Sequence, residues 1–370
     1  MLGRQLLLRR ESLGVADAVQ RVVALQAQQA ASPYLALWNR LADFNPTDLD
    51  AAFAGHEVVK ATLMRITLHA VHAGDYQAFR EAMEPTLRAV AFGRGRFRAS
   101  GLTVAEADAL VSALYEHAHQ PQTTAEIGSW LEQRLGARPD PRVWRGLRVY
   151  APVWHAPTQT PWSFGSRSSY LAARVQPVLA DPDSSATALQ TLVKRYLEGF
   201  GPASAADVAQ FALVQRARAK EALKALSDNL ERIEGPDGAS LYDLPGFPRP
   251  PEDTPAPPRL MAMWDSILLA SFDRSRVIPP DYRKLVTRSN GDVLPTLLVN
   301  GYVAGVWRPV EGGIEATAFH HLSDGAWEGL AAEARSLVAF LADREPKVYR
   351  RYDHWWRTLP SAEVRLLPAK

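Results

Sequence analysis

RVVALQAQQAASPYLALWNR, residues Arg21 to Arg40, is the stretch on which the reading of this chain turns. Val22, Val23 and Leu25 continue the apolar spacing of a helix begun at Val15, and then amides occupy positions where an amphipathic helix would place apolar side chains. In a helix, residues two apart point about 200° away from each other, whereas in extended chain they share a face. Either the helix ends near Leu25, or only one of Gln26 and Gln28 faces a given site. A neutral amide holds a water by donating and accepting, but it cannot take the water's proton. Two readings follow: solvated or capping glutamines in a Q-A-Q-Q run, or a pair serving a substrate that is already activated.

Outward from this stretch the chain falls into repeating units. Ser32 as N-cap and Pro33 at the first helical position open a helix through Ala42. Asn45-Pro46-Thr47 caps a short helix ended by Gly55. Glu57 to Val71, rich in β-branched residues, reads as one or two strands, and Gly74-Asp75 starts a long helix towards Val90. Three helices followed by a strand pair is the order of a winged helix. The order recurs in helices over 103–117, from a capping box at Thr123 to Glu126, and from Asp140-Pro141, with strands over 153–164. It recurs again in helices 185–200, 204–213 and 216–226, with a hairpin over 230–244. PGFPRPPEDTPAPP (245–258) is a proline-rich linker. Beyond it, 261–272, 293–299, 302–309 and 315–320 are strand-like, Asn300-Gly301 signals a tight hairpin, and Ser323 caps a helix from Asp324 to Ala342. The expected fold is therefore α+β and mainly α. It has three tandem winged-helix units (1–100, 101–184, and 185–258 including the linker) followed by a small antiparallel sheet or barrel domain with a covering helix (259–370).

Composition narrows the function. With 370 residues, 47% hydrophobic and 22% charged, the chain is globular with ample core. The absence of cysteine excludes disulfides, thiolate metal sites and a cysteine nucleophile, and the nine histidines lack metal-ligand spacing, so neither metal nor cofactor is expected. Leu6 to Leu8 is too short for a signal-peptide core and no long apolar run follows, which points to a cytoplasmic protein without membrane contact. Of 42 basic residues 35 are arginine, the side chain suited to phosphate and guanine. A GC-rich genome also produces this bias.

Five ordered blocks carry a resemblance over nearly the whole chain. They are LQAQ (25–28) with WNR (38–40), MRITLHAVHAGDY (64–76), RYLEGFGPASAADVAQF (195–211), DRSRVIPPDYRK (273–284) and LPTLLVNGYVAGVWR (294–308). Together they resemble the AlkZ-like DNA glycosylases, a family of tandem winged-helix proteins. The resemblance implies a catalytic motif of glutamine, an apolar residue, then glutamine or aspartate, which Gln26-Ala27-Gln28 matches in its double-glutamine form. It also implies double-stranded DNA carrying alkylated purines or interstrand crosslinks as substrate. A purine alkylated at N7 or N3 leaves as a neutral molecule, so no strong general acid is needed. Two amides could hold a water near C1′ and lay partial negative charge beside the oxocarbenium-like sugar.

Further DNA contacts are expected from Arg65, Thr67 and His69, which would share one strand face, and from Arg40 near a helix end. The basic run Arg94, Arg96 and Arg98, the pair Arg274 and Arg276, and Asn300 in its hairpin complete the set. Each has a bland counterpart: a core histidine, a carbonyl-capping arginine, a solvated basic segment, a tight turn. A lysine-poor chain, with only Lys60 near the proposed site, is expected to be a monofunctional enzyme without a lyase step and to act as a monomer. The competing reading is a winged-helix transcription regulator that binds DNA without chemistry; a scaffold without nucleic acid ranks behind both.

Overall fold

The computed structural model describes residues 1–93, 97, 99–251 and 253–368. The chain runs through α1 (Val15–Arg21), the two-residue strand β1 (Leu25–Gln26), α2 (Ser32–Trp38), α3 (Pro46–Ala54), β2 (Val58–Thr62), β3 (Leu68–His72), α4 (Ala73–Ala82) and α5 (Glu84–Ala91). Helix α1 stops early because Val22 leaves helical geometry and Val23 sits at φ 75°, a left-handed conformation rare for a β-branched residue. The glutamine stretch is consequently extended, and Leu25 and Gln26 pair with Ala70 and His69 of β3. Val23 is held there by packing: a Cβ on Gly199 would come within 2.6 Å of its Cγ2.

Asn45 caps α3 as expected, its side chain accepting from the Thr47 amide at 3.0 Å. Ser32, by contrast, lies inside α2, and its hydroxyl is 3.0 Å from that of Tyr349 instead of capping. The long helix expected after Gly74 is two helices broken at Met83, where Pro85 follows and cannot donate to the helical ladder.

Next come α6 (Val104–His117), β4 (Gln122–Thr123), α7 (Thr124–Leu135), α8 (Pro141–Tyr150), β5 (Val153–Ala156) and β6 (Ser169–Ala172). Thr103–Glu106 and Thr123–Glu126 form reciprocal capping boxes. The second strand of this unit falls later than the sequence suggested, because Pro157 and Pro161 confine 157–164 to turns. The first two hairpins are not separate wings. Lys60 of β2 pairs with His155 of β5, giving one six-stranded sheet in the order β1-β3-β2-β5-β6-β4.

Helices α9 (Pro182–Phe200), α10 (Ala205–Ala212) and α11 (Arg216–Ala225) then lead into the hairpin β7 (Glu231–Glu234) and β8 (Ser240–Asp243). The last part holds β9 (Arg259–Leu260), α12 (Arg283–Val286), β10 (Thr296–Val299), β11 (Tyr302–Val310), β12 (Gly313–Ala318), α13 (Asp324–Ala342) and β13 (Glu363–Pro368). The five strands form one antiparallel sheet, β13-β12-β11-β10-β9, against which α13 packs. Asn300 at φ 49° and Gly301 at φ 83° make the hairpin turn with both central residues left-handed, which that short connection requires. Residues 261–272 hold turns and the short 3-10 helix Ser266–Leu268 rather than a strand, and Asp265 and Ser266 turn inwards to polar contacts.

Those contacts fasten the two ends of the chain together. Arg40, fully buried, forms a bidentate pair with Asp265 at 2.7 and 2.8 Å and also donates to the Ala36 carbonyl. Ser266 donates to the Ala24 carbonyl at 2.8 Å. A second buried pair, Arg4 with Asp243 at 2.7 and 2.9 Å, ties the amino-terminal segment to β8. Removing one member of a buried pair strands the other's charge, so Asp265→Ala is expected to cost about 3–5 kcal/mol in urea unfolding. Arg40→Met with Asp265→Leu should recover most of that loss; a near-neutral single variant would contradict the account.

Candidate active site

The turn between β2 and β3 sets the chemistry. Arg65 and Ile66 sit at φ 54° and 60°, so the backbone curls there and Arg65 is not on a strand. The expected common strand face of Arg65, Thr67 and His69 is thus replaced by a cluster around the curl. The Arg65 guanidinium donates to Gln26 Oε1 at 2.7 Å and to the Phe211 carbonyl at 3.0 Å, and stands 3.0 Å from His69 Nε2. Burial and the nearby Arg274 lower its pKa to about 10.

His69 is fully buried, and burial followed by the Arg65 charge pushes its pKa well below the usual imidazole range. It is a neutral ring. Its Nδ1 lies 3.1 Å from the Thr67 carbonyl, so Nδ1 carries the proton and the Nε2 lone pair faces the arginine. Thr67 turns its hydroxyl back to the Met64 carbonyl and serves the curl.

Gln26 is 5% exposed and Gln28 is exposed. The two do not share a partner. Gln26 gives its oxygen to Arg65, whereas Gln28 places its oxygen 3.4 Å from the Leu68 amide and lines a cavity of about 580 Å³. That cavity has an aromatic and largely uncharged interior. Lys60, 5% exposed, lies with its ammonium nitrogen 4.3 Å from the Phe164 ring centroid. Burial lowers the Lys60 amine to about 7. His155, opposite Lys60 in the sheet register, is lowered to about 3 by burial, then by Lys60 and Arg148. Trp162 donates to Glu345 Oε2 at 2.6 Å, and Arg167 and Arg351 stand exposed at the rim.

The remaining expected contacts separate into three groups. Arg40 is enclosed with Asp265, and a carboxylate occupies the place expected for phosphate. Arg94, Arg96 and Arg98 lie outside the described residues. Arg274 is half-buried near Arg65 and Arg283, and burial and the Arg283 charge lower its pKa. Among the described residues neither Arg65 nor Arg274 forms an ion pair. Arg276, likewise without an ion pair among the described residues, donates to the Pro202 carbonyl at 3.2 Å and lines a surface groove with Asn300 and the half-exposed Tyr302.

Sequence reasoning gave Lys60 no role, and it missed His155 and Phe164. The signal was present in EVVKATLM, where one lysine interrupts a strand of apolar residues in a chain with only seven lysines. Among the described residues no cluster of His, Asp or Glu suited to a metal ion occurs, and no helix is long and apolar enough to cross a membrane.

Helical units and antiparallel hairpins thus surround an amide-bearing strand beside Arg65, a cation with no ion pair among the described residues. The chain belongs to the AlkZ-like DNA glycosylase family, whose model matches residues 19–340. Among solved structures it is similar to Streptomyces sahachiroi DNA glycosylase AlkZ, with 20% identity and a TM-score of 0.77 over 93% of this chain and 96% of that one. No curated protein matches it by sequence.

Lys60 yields a sign-specific test. Below pH 7 both folded and unfolded chains hold its proton, and the folded state bears the whole cost of a buried cation. Between about pH 7 and 10 only the unfolded chain holds it, so stability contributed at this site rises with pH. Lys60→Met should therefore be more stable than wild type at pH 6 by a few kcal/mol, with the gap narrowing towards pH 9 in chemical unfolding. A gap independent of pH would show that the amine is not desolvated.

Proposed function

We propose that the protein hydrolyses the N-glycosidic bond of cationic N7- or N3-alkylated purines in double-stranded DNA, including purines that tether the two strands, and leaves an abasic site. It acts as a monomer without cofactor or metal, its first 258 residues serving as helical units of winged-helix type whose first two hairpins are fused into one sheet, and 259–370 as a sheet domain that completes the DNA-facing surface. The observation that supports this most is the extended chain from β1 onward, with Gln28 at a cavity large enough for a purine while Gln26 is anchored by an arginine that has no ion pair among the described residues.

The chemistry follows from the charges. An alkylpurine cation is already a good leaving group, so the protein must hold a water and tolerate positive charge on the sugar. Gln28 offers a carbonyl oxygen to that water. Gln26 does so once a DNA phosphate takes over Arg65, because a guanidinium prefers an anion to a neutral amide. The neutral His155 and the readily deprotonated Lys60 do not repel a cationic base. Arg65, Arg274 and Arg276 then contact the backbone, and Thr67 and His69 hold Arg65 in place. Asn300, at the hairpin tip, enters the minor groove.

Duplex DNA containing N7-methylguanine, and a second duplex with a bis-alkylated crosslink, test the reading through alkali-labile sites. Wild type should release the base, and Gln26→Ala and Gln28→Ala should each slow release by about 10²-fold, as loss of one transition-state contact does, with DNA affinity nearly unchanged. Binding without release would assign the protein to DNA regulation instead. Arg274→Ala should weaken binding to all sequences and lower the slope of log affinity against log salt by about 0.9, the value of one phosphate contact. An unaltered slope would remove Arg274 from the interface.

A further inference from the structure

The sequence argued against a lyase step because no amine was evidently placed for one. The structure places one. Lys60 is the single buried lysine among the described residues, and the cavity it lines is the one lined by Gln28. Among the described residues it has neither an ion-pair partner nor a hydrogen-bond acceptor; its nitrogen rests against the face of Phe164, and His155 stands across from it in the sheet. A lysine kept only to support the fold in such a place is costly, since an apolar residue of equal length would fill the space without a charge to desolvate. A lysine that must act as a nucleophile needs this environment, because an amine attacks only without its proton.

We propose that Lys60 condenses with the abasic deoxyribose left in the cavity by base removal and so gives the protein a strand-cleaving step after hydrolysis. This rests on the glycosylase reading for the supply of its substrate. The Nζ lone pair attacks C1′ of the ring-opened sugar aldehyde, and the resulting carbinolamine loses water to give a protonated imine. Solvent takes a proton from C2′. The C2′–H electron pair forms the C2′–C3′ double bond as the C3′–O bond breaks and the 3′ phosphate leaves with its electrons. Water then hydrolyses the imine, returning Lys60 and releasing an unsaturated aldehyde on the strand; no electron donor or acceptor is required. Burial has already brought the amine close to neutrality at physiological pH. The charged groups around it are the rim residues Arg167, Arg351 and Glu345, with His155 neutral at its side.

The test uses the full chain and a duplex with an abasic site prepared beforehand, so that trapping does not depend on base release. Sodium cyanoborohydride should capture a covalent protein–DNA adduct, which peptide mass spectrometry maps to Lys60. Lys60→Met should lower adduct yield by about 10-fold or more, as loss of the sole nucleophile requires, while Lys220→Met at an exposed position should not. Thermal unfolding of Lys60→Met confirms that the variant folds. Yield should already be near its maximum at pH 8, whereas an ordinary lysine would still be gaining. Release of N7-methylguanine with no adduct, or with an adduct mapped to another amine, overturns the inference and leaves the hydrolase standing. An adduct at Lys60 without release overturns the hydrolase and keeps the amine chemistry.

Discussion

A buried guanidinium–carboxylate pair, Arg40 with Asp265, is the constraint on which the geometry of this protein depends. Arg40 ends the stretch that carries the glutamines, and Asp265 opens a corner of the carboxy-terminal part, 225 residues away in sequence. With both side chains excluded from water, neither charge has an alternative partner, and the pair tolerates little displacement. Ser266, the next residue, bonds the Ala24 carbonyl, two residues before Gln26. The corner thus holds the glutamine segment at both ends. That is why α1 stops where it does: the chain beyond Val23 is committed to β3 on one side and to this corner on the other.

The charge distribution around the segment follows a second rule. Several arginines that build the fold are matched to carboxylates, as Arg4 is to Asp243, Arg10 to Glu333 and Arg88 to Asp108, while the buried Arg80 meets the Tyr150 carbonyl. Among the described residues Arg65, Arg274 and Arg276 meet neutral groups: Arg65 an amide and a carbonyl, Arg274 the Thr287 hydroxyl, Arg276 the Pro202 carbonyl. A cation satisfied only by neutral acceptors retains most of its attraction for an anion, and several together raise the local concentration of a polyanion. The partition is a property of position, and net charge does not reveal it; at +2 the whole chain looks indifferent to nucleic acid.

Much of this architecture was legible in the sequence. Asn45, Thr123, Asp140 and Ser323 announced helix starts that the structure contains, and Asn300-Gly301 announced its hairpin, because caps and tight turns are local. What was not legible is long-range. The joining of the first two hairpins depends on Lys60 meeting His155, 95 residues later, and nothing near either residue signals it. The last strand, β13, alternates weakly and pairs only because β12 offers an edge. At the candidate site the two glutamines could be singled out from their place in an apolar pattern. The partner of Gln26 could not, since Arg65 reaches it only through a left-handed curl that an isoleucine and an arginine would not be expected to adopt. Arg40 misled for a related reason: an arginine at a helix end reads the same whether its anionic partner is a DNA phosphate or a buried aspartate far along the chain.

Taken together, positive charge lies at the periphery of the cavity and is kept out of its interior. Arg167 and Arg351 stand at the rim, while inside it His155 has lost its proton and Lys60 is poised to lose its own. The same desolvation that strengthens a contact with phosphate makes a second cation costly, so a cationic guest would be admitted only if the groups facing it were neutral. Amides meet that condition permanently and an amine near its pKa meets it on demand. A carboxylate in the place of Gln28 would bring a full negative charge to the cavity and favour the protonated form of Lys60, whose amine burial alone keeps near neutrality. An uncharged amide at the cavity and a buried amine without an ion-pair partner among the described residues are thus electrostatically compatible.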